Sequence, residues 1–351
     1  MLKIALDVMG GDYAPQATVH GGVWAARDFG LEVHLVGRPS VIQAELQKHD
    51  TRGLSLPIIP ASQVVEMGEA PAAAVRAKPD SSMVVGVQHL KRNACDAFVT
   101  MGNTGGGLAA ALLHLGRIPG IKRPAVATIY PTSTPRGYCV LLDIGANTDC
   151  KPDYLYQFAL MGNLYADRVL GVNQPRVALL SNGEEEGKGN ALVVAALPLL
   201  KQGPFKFIGN VEGKDVPAGL ADVVVTDGFT GNVLLKASEG VARLLIDAIK
   251  DNIRKRPLAR LGVLLVRPAL RAAARRLDYR EFGGAVLLGV NGPVIIGHGR
   301  SDAYAVRNAI HLASQMVEGN IVDSIKSGLS ATGAALANDR DEEAREYEDH
   351  H

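Results

Sequence analysis

The sequence predicts an α/β protein built on a mainly parallel sheet. Two observations carry this. Short runs rich in Val, Ile and Leu recur along the chain, apolar at consecutive positions, as in strands buried on both faces. Many are followed by Gly, Asn or Asp and then by a helical pattern, and strand-helix alternation marks a parallel sheet wrapped by helices. In chain order the runs are Ile4–Val8, Val33–Val36, Leu56–Ile59, Ala97–Thr100, Ala125–Ile129, Tyr138–Leu142, Val177–Leu180, Lys206–Ile208 and Val223–Thr226. The helices expected between and after them are Pro15–Phe29, Gly105–Leu115, Pro152–Leu170, Gly187–Leu200, Thr230–Asn252 and Ser301–Ser327, several opened by proline or a polar residue. Ala285–Gly297 differs, because its two apolar runs flank Asn291-Gly292, a hairpin signal that predicts an antiparallel ribbon.

Composition narrows the class. The 351 residues hold 37 Lys+Arg against 36 Asp+Glu and are 47% hydrophobic, which suits one sizeable core and not a chain that coats nucleic acid. Cys95, Cys139 and Cys150 are too few and too scattered for a disulfide framework or a structural zinc site. No targeting segment or spanning apolar stretch stands out, so the expected location is the cytoplasm. Charge is unevenly placed. Residues 250–280 carry ten basic and two acidic side chains, a local excess of eight against a formal total of +1. The expected organisation is a single domain over residues 1–327, with 250–280 a basic amphipathic helical arm. Residues 328–351, ending in an acidic run, form a tail with too little apolar surface to order itself.

In open α/β sheets ligands bind beyond the carboxyl ends of strands, so the loops there carry the functional reading. Five are conspicuous: Asp7–Pro15, with Gly10, Gly11 and Asp12; Thr100–Gly107, with Gly102, Asn103, Thr104, Gly105 and Gly106; Asp143–Pro152, with Asn147; Ser181–Asn190, with Lys188; and Thr226–Asn232, with Asp227. Singly, each is an ordinary turn. None matches the P-loop or the dinucleotide fingerprint. Together they offer hydroxyls, amides and close backbone approach with few bulky side chains, which suits a small oxyanion such as phosphate.

The ordered motifs DVMGGDYAP, GNTGG, LLDIGAN with DCKP, NGEEEGKGN, GNVEGKD, VVTDGFTGNVLLKASEG and GHGRSDAYAVRNAI resemble those of the phosphate acyltransferase family, the PlsX-type acyl-acyl-carrier-protein:phosphate acyltransferases. The resemblance spans roughly residues 2 to 325; family members often carry Ala where Gly106 stands here. It implies a Rossmann-like three-layer α/β/α fold related to phosphotransacetylases and isocitrate-dehydrogenase-like enzymes. It implies transfer of a long-chain acyl group from acyl carrier protein to inorganic phosphate, giving acyl phosphate for phosphatidic acid synthesis. It implies no metal or other cofactor. The implied partners are acyl carrier protein, phosphate, a second copy of the chain, an anionic membrane surface and a downstream acyl-phosphate:glycerol-3-phosphate acyltransferase; nucleic acid is not among them.

Phosphate is already an anion, so the protein has to hold it against the thioester carbonyl and stabilise the oxyanion that forms. The phosphate cradle expected from the residues is Gly102, Asn103, Thr104, Gly105 and Gly106. Lys188 and Asn190 are placed to neutralise phosphate or oxyanion, Asn232 to add a donor, and Asp227 to orient Lys188. Asp7, Gly10, Gly11, Asp12 and Asn147 are assigned to substrate binding. His298 is read either as the acid for the departing thiol or as a capping, buried histidine. Cys150 stands beside Lys151, which would lower a thiol pKa, but phosphate attacks a thioester directly and packing is the preferred reading. The apolar run Leu261, Val263, Leu264, Leu265 and Val266 between Arg260 and Arg267 has the composition of a segment that dips into anionic lipid. A dimer contact and docking of the acidic carrier protein are the other uses of this arm. The competing functions are a short-chain phosphotransacetylase acting on coenzyme A thioesters and a non-catalytic membrane scaffold.

Overall fold

A computed structural model describes residues 1–256, 262–263, 266–269 and 278–331. Strand β1 (Lys3–Asp7) shows why consecutive apolar residues were needed: Ile4 and Leu6 pack into one core, and Ala5 into another on the opposite face. In chain order follow α1 (Gln16–Phe29), β2 (Glu32–Gly37), α2 (Pro39–Leu46), β3 (Ile58–Pro60), α3 (Pro71–Ala77), α4 (Ser82–Lys91), β4 (Ala97–Thr100) and α5 (Thr104–Ala110). A π turn, Ala111–Leu115, continues α5. Next come β5 (Ala125–Pro131), β6 (Tyr138–Leu142), α6 (Pro152–Arg168), β7 (Arg176–Leu180), α7 (Ala191–Lys201), β8 (Lys206–Val211), the single turn α8 (Asp215–Ala218), β9 (Val223–Val225) and α9 (Gly228–Arg254). The chain closes with β10 (Ala285–Leu288), β11 (Val294–Ile296) and α10 (Ala303–Glu318). Residues 321–331 are also helical, so helix runs past residue 327, and Gly328 lies against Leu160 and Leu164. Residues 332–351, the rest of the expected tail, lie outside the described ones.

Among the described residues the strands form one sheet in the order β3-β2-β1-β4-β11-β10-β5-β6-β9-β7-β8. Helices cover both faces. Val19 and Val23 of α1, Phe158 of α6, Leu200 of α7 and Ile310 of α10 pack on one; Val84 and Val87 of α4, Ala110 of α5 and, further along, Leu234 and Leu235 of α9 pack on the other. The expected ribbon is present, β10 pairing antiparallel with β11, but strands end at Leu288 and resume at Val294, so Asn291-Gly292 sits inside a longer connection. Asn291 Nδ2 there donates to the carbonyls of Leu115 and Arg117.

One feature of the sheet changes where the site must lie. Most neighbours are parallel, but β11-β10, β10-β5 and β5-β6 are antiparallel. Strands β6, β9, β7 and β8 therefore run opposite to β1, β2, β3, β4 and β11. The five loops expected to converge are split between two opposite edges. Those after β1 and β4 lie on one, joined there by the loop after β11, and those after β6, β7 and β9 on the other. Periodicity reveals which residues are buried and not which way a strand runs, so the sequence could not show this.

Candidate active site

A cavity of about 1400 Å³ occupies the face of the central strands, between α5 on one side and α9 on the other. Its floor includes Val126, Thr128 and Tyr130, alternate residues of β5 that share one face of the sheet. Thr104 and Gly105 at the start of α5, Gly297 and His298 after β11, Ile144 and Gly145 after β6, and Asn232 just past the first turn of α9 all line it. Further along α9 the wall is mainly apolar, through Leu235, Ala242, Leu245, Ile246, Ile249 and Ile253, with Val263 and Phe282 beyond, and Lys250, Arg254 and Asp278 add charge at the far end. Polar groups from both sheet edges thus border a space that extends into a mainly apolar bore.

Asp143, fully buried, shapes the Asn232 end. Its Oδ1 accepts from the N–H groups of Val126, Gly145 and Ala146, and its Oδ2 from the N–H and side-chain amide of Asn147. Burial pushes its carboxyl up while these donors pull it down. Asn147 also donates to the Pro124 carbonyl, which makes it a brace for this loop rather than a group facing the cavity. Helix α9 starts hard against the same loop. A Cβ on Gly228 would stand 2.6 Å from the Asn147 carbonyl oxygen, and one on Gly231 would stand 2.0 Å from that of Asp143. Asn232 is thereby held next to Gly145. Asp227 caps α9, accepting from Thr230 N–H at 2.8 Å and Thr230 Oγ1 at 2.7 Å. Those bonds, and not Lys188, set its position.

At the other edge, Asp7 is buried and cannot meet a substrate. Its Oδ2 accepts from Thr100 Oγ1 at 2.8 Å, and its Oδ1 accepts from Met9 N–H; burial pushes the carboxyl up. Gly10 lets this loop meet the next, since a Cβ there would lie 2.9 Å from Gly102 N. Gly102 donates to Thr100 Oγ1, and Asp12 N–H donates to the Gly299 carbonyl beside Gly11. Asn103 is an N-cap: Oδ1 accepts from Gly106 N–H, and Nδ2 donates to the carbonyls of Glu66, Met67 and Glu69. Of the expected cradle, only Thr104 and Gly105 face the cavity.

His298 is half-buried, and its Nδ1 accepts from Arg300 N–H at 3.2 Å, which places the proton of the neutral ring on Nε2. Burial first, then the charges of Arg300 and Lys236, hold its pKa below the ordinary histidine value. Lys188 is exposed in the loop after β7, its stem packed over Gly183, and it is not part of the cavity wall. Asn190 caps α7 by accepting from Val193 N–H. Since β9 separates β6 from β7, the Lys188 loop does share an edge with Asn232. Cys150 reverses the expectation drawn from Lys151: burial, with Asp143, Asp227 and Asp149 nearby, pushes its thiol up to about 12. Of the apolar run, Val263 lines the cavity and Val266 is exposed; Leu261, Leu264 and Leu265 lie outside the described residues. Sequence reasoning missed Lys236, Gly145 and the bore itself, although apolar residues at helical spacing through α9 signalled an unpaired face.

The family model described as fatty acid synthesis protein matches residues 2–324. The chain belongs to that family. It is 50% identical to a phosphate acyltransferase of Heliobacterium modesticaldum over 329 residues, covering 93% of this chain and 98% of the relative. It is 49% identical to one of Desulforudis audaxviator over 328 residues, 93% of this chain and 96% of that one. Membership makes this chain an acyltransferase. A phosphotransacetylase from Streptococcus pyogenes superposes with a TM-score of 0.61 at 19% identity, over 90% of this chain and 94% of that one. A 4-hydroxythreonine-4-phosphate dehydrogenase from Klebsiella pneumoniae does so at 0.54 and 12%, over 91% and 98%. These two likenesses establish the fold and nothing about substrate. Among the described residues no helix is long and apolar enough to cross a membrane, and no group of three His, Cys, Asp or Glu is arranged to hold a metal.

Proposed function

We propose that the chain moves a long-chain fatty acyl group from acyl-acyl-carrier-protein to inorganic phosphate, giving acyl phosphate for phospholipid synthesis. The observation that carries this is a space of about 1400 Å³ with Thr104, Gly105, Asn232 and His298 at one end and the mainly apolar side of α9 along it. A long acyl chain fills such a space, whereas the acetyl group of a short-chain phosphotransacetylase would leave it empty. In this reading Asn232, the N–H groups of Thr104 and Gly105 and the Thr104 hydroxyl hold phosphate and the nascent oxyanion. Lys188 brings its charge from the neighbouring strand end. A phosphate oxygen attacks the thioester carbon, the carbon–sulfur bond breaks, and the proton of hydrogen phosphate ends on the thiol. Neutral His298 donates a hydrogen bond from Nε2 and transfers no proton. No acyl-cysteine forms.

Val233 and Leu244 of α9 are each more than half exposed and do not line the cavity, which favours a second copy packing against this side of the helix. Val266 and the surrounding basic residues favour reversible contact with an anionic membrane. Release of carrier-protein thiol from palmitoyl carrier protein, with and without phosphate, tests the reaction. Thiol release should require phosphate and yield an equal amount of acyl phosphate; release at the same rate without phosphate means hydrolysis and overturns the proposal.

A further inference from the structure

A second pocket, about 510 Å³, opens where the π turn after α5, the approach to β5 and the start of α6 meet. Arg117, Lys122, Arg123 and Lys151 line it, opposed by the single carboxylate of Asp153. It is a built feature. Arg117 donates to the Lys122 carbonyl, Lys122 pairs with Asp153, and the Arg123 guanidinium lies over the Tyr154 ring at 6.0 Å. Gln157 clamps the turn, accepting from Lys122 N–H at 2.8 Å and donating to the Gly120 carbonyl at 2.9 Å. The N-terminus of α6, a 17-residue helix, adds its positive end through Asp153 and Tyr154. Four cations against one carboxylate, in a concave site, make an anion site that suits a phosphate ester.

Its position gives the pocket a role. Pro124 is in its wall, and two residues further along β5 Val126 lines the acyl cavity, a separation of about 7 Å along a strand. Asn147 Nδ2 bonds the Pro124 carbonyl to the loop that carries Gly145, so this loop divides the two spaces. We propose that the basic pocket seats the phosphodiester of the pantetheine arm of acyl carrier protein. The arm then passes the Gly145 loop and presents its thioester near Asn232, and the acyl chain continues along α9. This rests on the donor assigned above.

The test uses the full chain with Arg123→Glu and Lys151→Glu combined. Both residues are exposed, and neither is part of the proposed phosphate-holding group. Wild-type protein should bind carrier protein bearing the arm roughly tenfold or more tightly than carrier protein lacking it, and the variant should bind both forms equally. Its kcat/KM on acyl carrier protein should fall by a similar factor, while turnover of acyl-pantetheine, which has no phosphate, stays unchanged. Equal affinity of the wild type for the two carrier forms, or discrimination retained in the variant, overturns the proposal. So does an equal loss on both thioesters, which would assign these cations to the fold or to chemistry. Failure of the donor reading shows separately, as wild-type protein that discriminates in binding yet gives no phosphate-dependent turnover.

Discussion

Replacing Gly231 with Ala tests whether the seating of α9 sets the active site. The new Cβ would lie 2.0 Å from the Asp143 carbonyl oxygen, where ordinary contact begins at 3.4 Å, so helix and loop must separate by about 1.4 Å. Both sides are backbone and cannot rotate away. Overpacking of this kind costs about 3 kcal/mol, which for a chain of this length lowers Tm by about 4 °C. The larger effect should be catalytic, because Asn232 follows directly and a displacement of about 1 Å from productive geometry can cost about a hundredfold in rate. The control is Gly240→Ala on the same helix, where an added Cβ meets nothing within 4 Å. It should leave turnover unchanged and stabilise by about 0.5–1 kcal/mol. Calorimetry and phosphate-dependent thiol release on both variants decide the matter. A folded Gly231→Ala protein with wild-type turnover would refute the reasoning.

Lys188→Ala should lower turnover roughly a hundredfold by removing one charged donor from phosphate, with little change in Tm because the side chain is exposed; wild-type rates would discard the assignment. Cys150→Ser should keep most activity, since a thiol pushed up to about 12 is no nucleophile near neutrality, and an acyl-cysteine found by mass spectrometry would establish the opposite. The His298 imidazole should titrate below the ordinary value of about 6.5 by NMR, and Arg300→Ala should move it upward. Because the fold prefers neutral His298, its contribution to stability is complete above about 6.5 and is lost as pH falls through the lowered folded value. His298→Asn should therefore show a smaller fall in urea midpoint between about pH 7.5 and 5.5 than wild type, and an equal fall contradicts the shift.

Strands were legible because burial on both faces leaves consecutive apolar residues, as in Ile4–Val8 and Tyr138–Leu142. Helices α3 and α4 were not. Ala72, Ala73 and Ala74 give α3 no apolar stripe, and Val84, Val85 and Val87 give α4 the composition of a strand. Candidate ligands were harder still, since a residue that caps a helix and one that binds an anion have the same chemistry: Asn103, Asn190 and Asp227 proved to be N-caps. The shift at Cys150 was hidden because its first cause is burial, and one of its three aspartates, Asp227, comes from another strand end. The reversal of direction across the sheet depends on which strands pair, and no local pattern encodes that.

Chain-length dependence measures directly whether acyl chains lie along α9. Ala242 is half-buried in the cavity wall, so Ala242→Phe narrows the bore without touching Asn232, Thr104 or His298. In wild type, kcat/KM with phosphate as acceptor should rise by up to about fourfold for each methylene added to the acyl donor, the worth of burying about 0.8 kcal/mol. The variant should match wild type on butyryl carrier protein and fall increasingly behind from medium to palmitoyl chains. A uniform loss at every length, or a wild type that prefers the shortest donor, would contradict the placement of the acyl chain.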